Sequence, residues 1–169
     1  MTSQRVLELR AAFDRTFALP PAAATQAVED FLAVKVAGDA CALRVSELAH
    51  LCAQRKIVPI PGRRPDLLGL AGIRGRTVPV YSLARIMGYS AANEAPRWLV
   101  TCGTGSEVAF AFDEFERHVR IPSASISRVG AAESPRKHVH ELIPDGGRVR
   151  FVVDIASMAQ GITQRRDSR

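Results

Sequence analysis

The chain has 169 residues, 47% of them apolar and 24% charged, which fits one folded body and excludes both a string of independent domains and wholesale disorder. The net charge of +6 would suit nucleic acid, but the basic residues stand in short, separate pairs with few aromatic side chains between them, so no nucleic-acid partner is expected. No apolar run is long enough to span a membrane and no secretory signal opens the chain. We therefore expect a cytoplasmic protein without direct membrane insertion.

The first 18 residues predict an amphipathic helix. Apolar side chains recur there every three or four residues, at Val6, Leu9, Phe13 and Phe17, and Ser3 is a suitable N-cap. The run Leu19-Pro20-Pro21 breaks this pattern, so residues 19–30 are predicted to be a linker. The apolar stripe must cover something; we expect it to pack on the body of its own chain, with docking to a partner as the alternative.

From Phe31 onward the apolar period changes to two, which is typical of strands. Apolar residues alternate on both sides of a Gly38-Asp39 turn, at Leu32, Val34, Val36, Cys41, Leu43 and Val45. This pattern predicts a hairpin. Two later apolar runs contain Pro59 and Pro79, and a proline inside a short strand predicts a position at a sheet edge or a bulge.

The second half of the chain repeats the first. The segment Cys41–Cys52 aligns without a gap on Val108–Val119, and Gly75–Leu83 has a counterpart in Gly147–Ile155. Two copies of one β unit, with short strands and frequent glycine and proline, predict two small barrels packed side by side. The groove between the barrels is then the natural binding site, and a single open sandwich is the alternative.

No arrangement of residues indicates catalysis or metal binding. The three cysteines contain no C-x-x-C pair, and His138 and His140 have no third ligand at suitable spacing. Cys102 and Ser106 lie in a turn between strands rather than on a nucleophile elbow. No glycine-rich phosphate loop occurs. The sequence therefore predicts a protein that is not an enzyme and that holds neither a metal nor another cofactor.

One segment resembles a known family. Residues 68–83 contain a glycine, an aliphatic-arginine-glycine triplet and a Val-Pro strand, the most characteristic stretch of CheW-like domains. Segments on both sides also match, so the resemblance covers residues 31–162 and leaves residues 163–169 as a polar tail. It implies a mainly β fold of two intertwined five-stranded SH3-like barrels, here with the N-terminal amphipathic helix and a short C-terminal helix added.

The resemblance also implies a function. Proteins of this family are non-catalytic adaptors of chemotaxis signal transduction. They couple the cytoplasmic tip of a methyl-accepting chemoreceptor to the regulatory domain of a CheA-type histidine kinase, and we expect recruitment to membrane receptor arrays. The alternative is a divergent CheW-like module that has lost kinase binding and modulates the array through the receptor or another partner.

Family positions carry over to two sets of residues. The structural motif consists of Gly69, Gly75 and Pro79. The expected receptor-binding groove is formed by Leu48, His50, Leu51, Arg74, Phe115, His118 and Val119. A groove lined by leucine and phenylalanine suits the apolar face of a receptor helix.

Several positions depart from the family pattern. The family has a glutamate-isoleucine pair where this chain has His50-Leu51, and an imidazole cannot form a salt bridge with Arg74. The other departures are Ser82 for an aspartate, Asp113-Glu114 for Asp-Gly, and Glu141 and Ile143 for glycines before the last strand. Because substituting glycine restricts a turn, we expect altered loop paths and a divergent paralogue that keeps one of the two partners.

Overall fold

The computed structural model of the chain describes residues 27–61, 64–90, 96–103, 107–130, 134 and 136–167, with side chains described as far as residue 164. The predicted N-terminal helix and residues 19–26 of the predicted linker lie outside the described residues.

The described residues form twelve strands and two α-helices. The strands are β1 (Val28–Val36), β2 (Asp39–Arg44), β3 (Leu48–Ala53), β4 (Ile57–Val58), β5 (Leu67–Ile73), β6 (Arg76–Ser82), β7 (Trp98–Cys102), β8 (Ala109–Phe112), β9 (Glu114–Pro122), β10 (Ser127–Arg128), β11 (Val139–Asp145) and β12 (Arg148–Val153). The helices are α1 (Leu83–Met87) and α2 (Ile155–Asp167). Helix α2 continues through residues 163–167, a stretch predicted as polar tail, and β1 begins inside the predicted linker.

The strands form two sheets. Sheet 1 has the order β10-β11-β12-β2-β1-β9, and sheet 2 has the order β3-β7-β8-β6-β5-β4. The two-residue strands β10 and β4 lie at the edges, so each sheet has five longer strands. The expected mainly β fold with two barrels is confirmed.

The predicted internal repeat is confirmed by the strand order and the register. If six is added to each strand number of the order β4-β5-β6-β8-β7-β3 of sheet 2, and counting restarts at β1 after β12, the result is the order of sheet 1. Val80 pairs with Ala109 in parallel, and Val152 pairs with Ala42 in the same way. These residues are equivalent, because 152 − 80 equals 147 − 75 and 109 − 42 equals 108 − 41.

The pairing also shows a feature that the repeat alone does not predict. Strands β1 and β2 of the first copy join β9–β12 of the second copy, whereas β3–β6 join β7 and β8. Each barrel therefore contains strands from both halves of the chain. The barrels are intertwined rather than merely adjacent.

Three apolar clusters follow from the alternation of side chains. Barrel 1, formed by sheet 1, encloses Phe31, Ala42, Ile121, Ile143 and Val152. Barrel 2, formed by sheet 2, encloses Ala71, Ile73, Val78, Val80, Leu99, Ala109 and Ala111. A shared core between the barrels includes Val34, Cys41, Leu43, Tyr81, Val100, Phe110, Phe112, Val153 and Met158. Each buried Val, Leu, Ile, Phe or Met side chain contributes about 1.5–3 kcal/mol, so the shared core holds the two barrels together.

The structural motif residues have separate roles. Gly69 has a φ of +150°, and a Cβ there would lie 2.1 Å from the carbonyl oxygen of Val58, so only glycine fits. Pro79 lies in β6, between β8 and β5, so the expected edge position is wrong for this proline. It is tolerated because the ladder with β8 begins only at Val80, one residue beyond it.

Candidate partner-binding surface

The two sheets meet at a strip of half-buried apolar side chains that we call the seam: Leu48, Leu51, Trp98 and Phe115. All four pack against the shared core. Leu48 and Leu51 come from β3 of sheet 2, whereas Phe115 comes from β9 of sheet 1. The ring centroids of Phe115 and Trp98 lie 5.4 Å apart at an interplanar angle of 58°, a favourable tilted arrangement. The seam thus combines an apolar surface from both barrels.

Matching β-bulges set the spacing of the seam residues. In β3 the register shifts between Leu48 and His50, and in β9 it shifts between Phe115 and Arg117. An extra residue in a strand reverses the alternation of side chains beyond it. Leu48 and Leu51 therefore share a face although they are three residues apart.

The same reversal separates the predicted residues of β9. It places His118 on the face of Phe115, where His118 is exposed and its Nε2 lies 2.9 Å from Asp30 Oδ1. Val119 takes the opposite face and packs on the core of barrel 1. The structure therefore places Leu48, Leu51 and Phe115 on the shared core, His118 exposed beside Asp30, and Val119 in barrel 1.

Trp98 was missed by the sequence reasoning. It is the only tryptophan of the chain, and it pairs with Ala53 of β3 and Phe112 of β8. A half-buried tryptophan beside a phenylalanine is typical of a binding surface. Its residue type alone could have indicated a binding surface. Its position there could not be predicted, because its neighbours come from three separate segments of the chain, β3, β8 and β9.

His50 and Arg74 lie at a second place, which we call the barrel-2 cavity. This cavity has a volume of about 250 Å³ and is lined by Ala49, His50, Ile73, Arg74, Arg76, Val78, Thr101, Cys102, Gly103, Glu107 and Val108. Arg74 and Gly75 have φ of +48° and +76° and form the tight turn between the paired residues Ile73 and Arg76. Arg76 forms an ion pair with Glu107 at the rim.

Among the described residues, neither His50 nor Arg74 has a hydrogen-bond or ion-pair partner. Arg74 is exposed, so water hydrates its charge in the isolated chain.

The equivalent position in barrel 1 is filled by charged side chains. Arg150, only 7% exposed, places Nε 2.5 Å from Asp145 Oδ2 and Nη1 2.6 Å from Glu116 Oε2. The repeat offsets of 72 and 67 residues carry these three positions onto Val78, Ile73 and Ala49, since 150 − 72 is 78, 145 − 72 is 73 and 116 − 67 is 49. All three line the barrel-2 cavity.

The charges of this barrel-1 cluster support one another. Burial opposes the charge of Arg150, but its hydrogen bond with Asp145 and its ion pair with Glu116 raise the pKa of the guanidinium above its usual value. The same bond to Arg150, with a further one from Arg117, lowers the pKa of Asp145. The cluster continues to Lys35, whose Nζ lies 3.7 Å from Glu116. These ionisable groups therefore have structural partners.

A second charged cluster joins the barrels to helix α2. Glu47 Oε2 accepts hydrogen bonds from the backbone N–H groups of Ile155 (3.0 Å) and Ala156 (3.3 Å) at the start of α2. Burial raises the pKa of Glu47 despite these bonds. Arg44 pairs with Glu141 at 2.7 Å. Glu47 acts as a helix cap supplied by a distant strand connection.

The expectation of altered loops is wrong at the substituted glycine positions. Glu141 and Ile143 lie inside β11 rather than in a turn. Ile143 is fully buried in barrel 1, and Glu141 is held by Arg44. Ser82 Oγ accepts from the N–H of Arg85 at 3.3 Å, so this serine caps α1 as an aspartate would.

The remaining substituted loop, Asp113-Glu114, braces the first hairpin. Asp113 Oδ2 accepts from the N–H of Ala37 at 2.6 Å, and Glu114 pairs with Lys35 at 2.8 Å. The turn residues are Ala37 and Gly38, both with positive φ, rather than Gly38-Asp39 as predicted. The loop thus has a structural role in sheet 1.

A larger groove lies beside barrel 2. It has a volume of about 1440 Å³ and is lined by residues that include Ile60, Leu67, Leu70, Pro79, Tyr81, Arg85, Lys137 and Gly161. It runs between β5, β6 and the two helices. Arg64, also in its lining, is held by Asp66 at 2.8 Å and lies over the ring of Tyr81.

Neither a membrane span nor a metal cluster is found in the part of the chain that the structure describes. No helix there has the length and apolar content needed to cross a bilayer. Over the same residues, no group of three or more His, Cys, Asp or Glu side chains is placed to hold a metal ion.

Comparison with known proteins adds three findings. A family model described as the CheW-like domain matches residues 30–162. The chain is 26% identical over 135 residues to the chemotaxis protein CheW of Thermotoga maritima, an alignment that covers 79% of this chain and 89% of that protein. The crystal structure of the scaffolding protein TtCheW from Thermoanaerobacter tengcongensis superposes with a TM-score of 0.68 at 14% identity, over 76% of this chain and 90% of that one.

Proposed function

Because this chain belongs to the CheW-like domain family, we propose that it is a non-catalytic adaptor of a chemotaxis-type signalling system. In this role it couples the cytoplasmic tip of a methyl-accepting chemoreceptor to the regulatory domain of a CheA-type histidine kinase. The family match covers most of the chain, and the similar proteins carry the names of a chemotaxis protein and a scaffolding protein.

The seam is the observation that carries the receptor part of the proposal. Leu48, Leu51, Trp98 and Phe115 are each half-buried on the shared core, so each retains apolar surface that a partner can cover. A receptor helix laid along the seam would contact both barrels at once. Full burial of one such side chain contributes about 1.5–3 kcal/mol. Because association also has ordering costs, we expect a micromolar Kd for one chain bound to one receptor tip.

The adaptor role also agrees with how the ionisable groups are used. Arg150 is paired with Asp145 and Glu116, and Glu47 caps helix α2. Groups with shifted pKa values often mark catalytic sites, but structural ion pairs shift them equally well. Here the pKa shifts of Arg150 and Asp145 come with their mutual ion pair, and that of Glu47 comes from burial at a helix cap. These structural causes support a binding protein.

A second candidate is a divergent module that binds the receptor but has lost the kinase. The observation that favours it is the barrel-2 cavity, where Arg74 stands without an acidic partner among the described residues and His50 occupies the neighbouring strand. Arg74 belongs to the family motif, and the glutamate usual beside it is replaced by His50. This change in the surroundings of the arginine suits a protein with a changed set of partners.

Isothermal titration separates the two candidates. The chain is titrated with the regulatory domain of the CheA-type kinase and, in a separate series, with a receptor cytoplasmic-tip fragment. Micromolar binding to both supports the coupling adaptor. Binding to the tip alone supports the divergent module, and binding to neither contradicts both proposals.

The seam is tested with Phe115→Ala and a matched control, Phe151→Ala. Phe151 is also half-buried on the shared core, but it lies on β12, three strands away from β9 in sheet 1. Phe115→Ala should weaken tip binding by about 1–3 kcal/mol because it removes a central apolar contact. Phe151→Ala should leave the affinity within about twofold. Equal losses in two well-folded variants would place the tip-binding site elsewhere.

A further inference from the structure

We propose that the larger groove beside barrel 2 is the docking site of the chain's own N-terminal segment, residues 3–17, for which the sequence predicts an amphipathic helix. The apolar stripe of that helix, formed by Val6, Leu9, Phe13 and Phe17, would face the groove. The proposal concerns packing within one chain. It holds whether or not the chain couples a receptor to a kinase.

The floor of the groove continues the apolar surface of the shared core. Leu67 of β5 pairs with Tyr81 of β6, and both pack in the shared core. The next pair on the same face of the hairpin is Leu70 with Pro79. These two side chains line the groove and are only half-buried. The apolar face of this hairpin therefore extends beyond the shared core into the groove.

The walls and the size of the groove suit a helix. Ile86 of α1 packs half-buried on the shared core, Ile60 is 38% exposed, and both line the groove. Gly161 and Gln164 of α2 form the opposite wall. The volume of about 1440 Å³ exceeds the roughly 300–1,000 Å³ of pockets for drug-sized ligands. An open apolar groove of this size is the usual seat of an amphipathic helix.

The strand pairing places the start of β1 near the start of α2. Leu32 of β1 pairs with Leu43 of β2, and Leu43 pairs with Val153 of β12. Adjacent strands lie about 4.8 Å apart, so Leu32 and Val153 are separated by about 10 Å. Strand β1 runs antiparallel to β2, whereas β12 runs parallel to β2. The chain therefore enters β1 at the end of sheet 1 where β12 ends and α2 begins.

The segment that precedes β1 is long enough to place the predicted helix in the groove. Helix α2 begins at Ile155, and a rise of about 1.5 Å per residue puts Gly161 about 9 Å along it. Residues 19–27 can span about 30 Å when they are extended. This length covers both the separation of about 10 Å between the strands and the distance along α2. The helix can therefore reach the groove while β1 stays paired in sheet 1.

Nuclear Overhauser contacts in the full chain test the placement. A sample with labelled leucine and isoleucine methyl groups should show cross-peaks from the two stripe phenylalanines to the methyl groups of Leu67, Leu70 and Ile86. Cross-peaks to the leucines of the seam instead, or no cross-peaks from either ring to the body, would overturn the proposal. Cross-peaks that arise only between differently labelled copies in a mixed sample would also overturn it, because the occupant is then a second copy.

A matched pair of substitutions, Phe13→Gln and Ala11→Gln, tests the apolar stripe. Two residues are separated by about 200° around a helix, so Ala11 lies on the side opposite Phe13. Phe13→Gln should shift the methyl resonances of Leu70 and Ile86 and leave those of Ile143, fully buried in barrel 1, unchanged. Ala11→Gln should leave all three unchanged. Equal responses of the groove to the two substitutions would contradict docking through the stripe.

A peptide of residues 1–18 gives a binding readout on the same full-length proteins. In the wild-type chain the tethered helix competes with the peptide at an effective concentration of about 1 mM. For a peptide Kd of about 0.1 mM, Phe13→Gln should therefore bind the peptide about tenfold more tightly than the wild-type chain does. Ala11→Gln should bind it as weakly as the wild type. Equal peptide affinities of all three proteins would overturn the proposal.

Discussion

The charged cluster inside barrel 1 makes a strong prediction for Arg150→Met. Methionine keeps an unbranched side chain of similar length but loses the guanidinium. In the native chain Arg150 forms ion pairs with Asp145 and Glu116 at 2.5 and 2.6 Å and donates to the carbonyl oxygens of Val34 and Cys41 at 3.4 and 3.5 Å. The substitution therefore leaves two carboxylates facing each other at a mostly buried site.

The expected loss follows from their surroundings. Removing one partner of a fully buried ion pair costs about 3–5 kcal/mol. The side chains of Asp145 and Glu116 remain 13% and 22% exposed, and Arg117 still pairs with Asp145. We therefore expect the free energy of unfolding to fall by about 2–4 kcal/mol, below the fully buried limit.

Urea denaturation followed by the fluorescence of the single tryptophan measures this loss. Arg148→Met is the matched control, because Arg148 begins the same strand but is exposed. A combined Arg150→Met, Glu116→Gln and Asp145→Asn variant should recover part of the stability, since no unpaired charge remains. A loss below 1 kcal/mol for Arg150→Met, or one no larger than that of Arg148→Met, would refute this account of the cluster.

Three further predictions concern the fold. The pKa of Asp145 is lowered by the buried guanidinium beside it, so Asp145 adds stability above its ordinary value of 3.8 that is lost as the pH falls below it; Asp145→Asn should flatten that part of the unfolding curve against pH. Gly69→Ala should cost about 2–4 kcal/mol in denaturant, because its Cβ would meet a backbone carbonyl, whereas Gly72→Ala, with open space around it, should cost under about 1 kcal/mol. A thiol reagent at pH 8 should label Cys52 but not Cys41. Cys41 is fully buried, and burial raises the pKa of its thiol to about 12. Rapid labelling of both cysteines in the native chain would contradict the packing of the shared core.

The fold could be predicted largely because its signals are local or repeated. From Phe31 to Leu43, alternate side chains point to the shared core and to the core of barrel 1, and this alternation indicates strands. The aligned copies in the sequence predict two equivalent units. The exchange of strands between barrels could not be predicted in this way. Nothing in the alternation of β1 and β2 distinguishes β9 and β12 as neighbours from the nearer strand β3.

The candidate site was predicted less completely, and for a specific reason. The groove residues were chosen by family position, which does not show the bulges that reverse side chains in β3 and β9. One reversal turns Val119 into barrel 1, and the other turns His50 towards the barrel-2 cavity. Trp98 reaches the seam from β7, a segment that the resemblance does not single out.

The most direct test of the central claim is a sedimentation experiment with receptor-containing membrane vesicles, the CheA-type kinase and this chain. The proposed coupling predicts that the kinase pellets with the vesicles only when the chain is present, and that Phe115→Ala reduces this recovery while Phe151→Ala does not. If the kinase pellets equally with and without the chain, or the chain pellets without bringing the kinase, the chain does not couple the two.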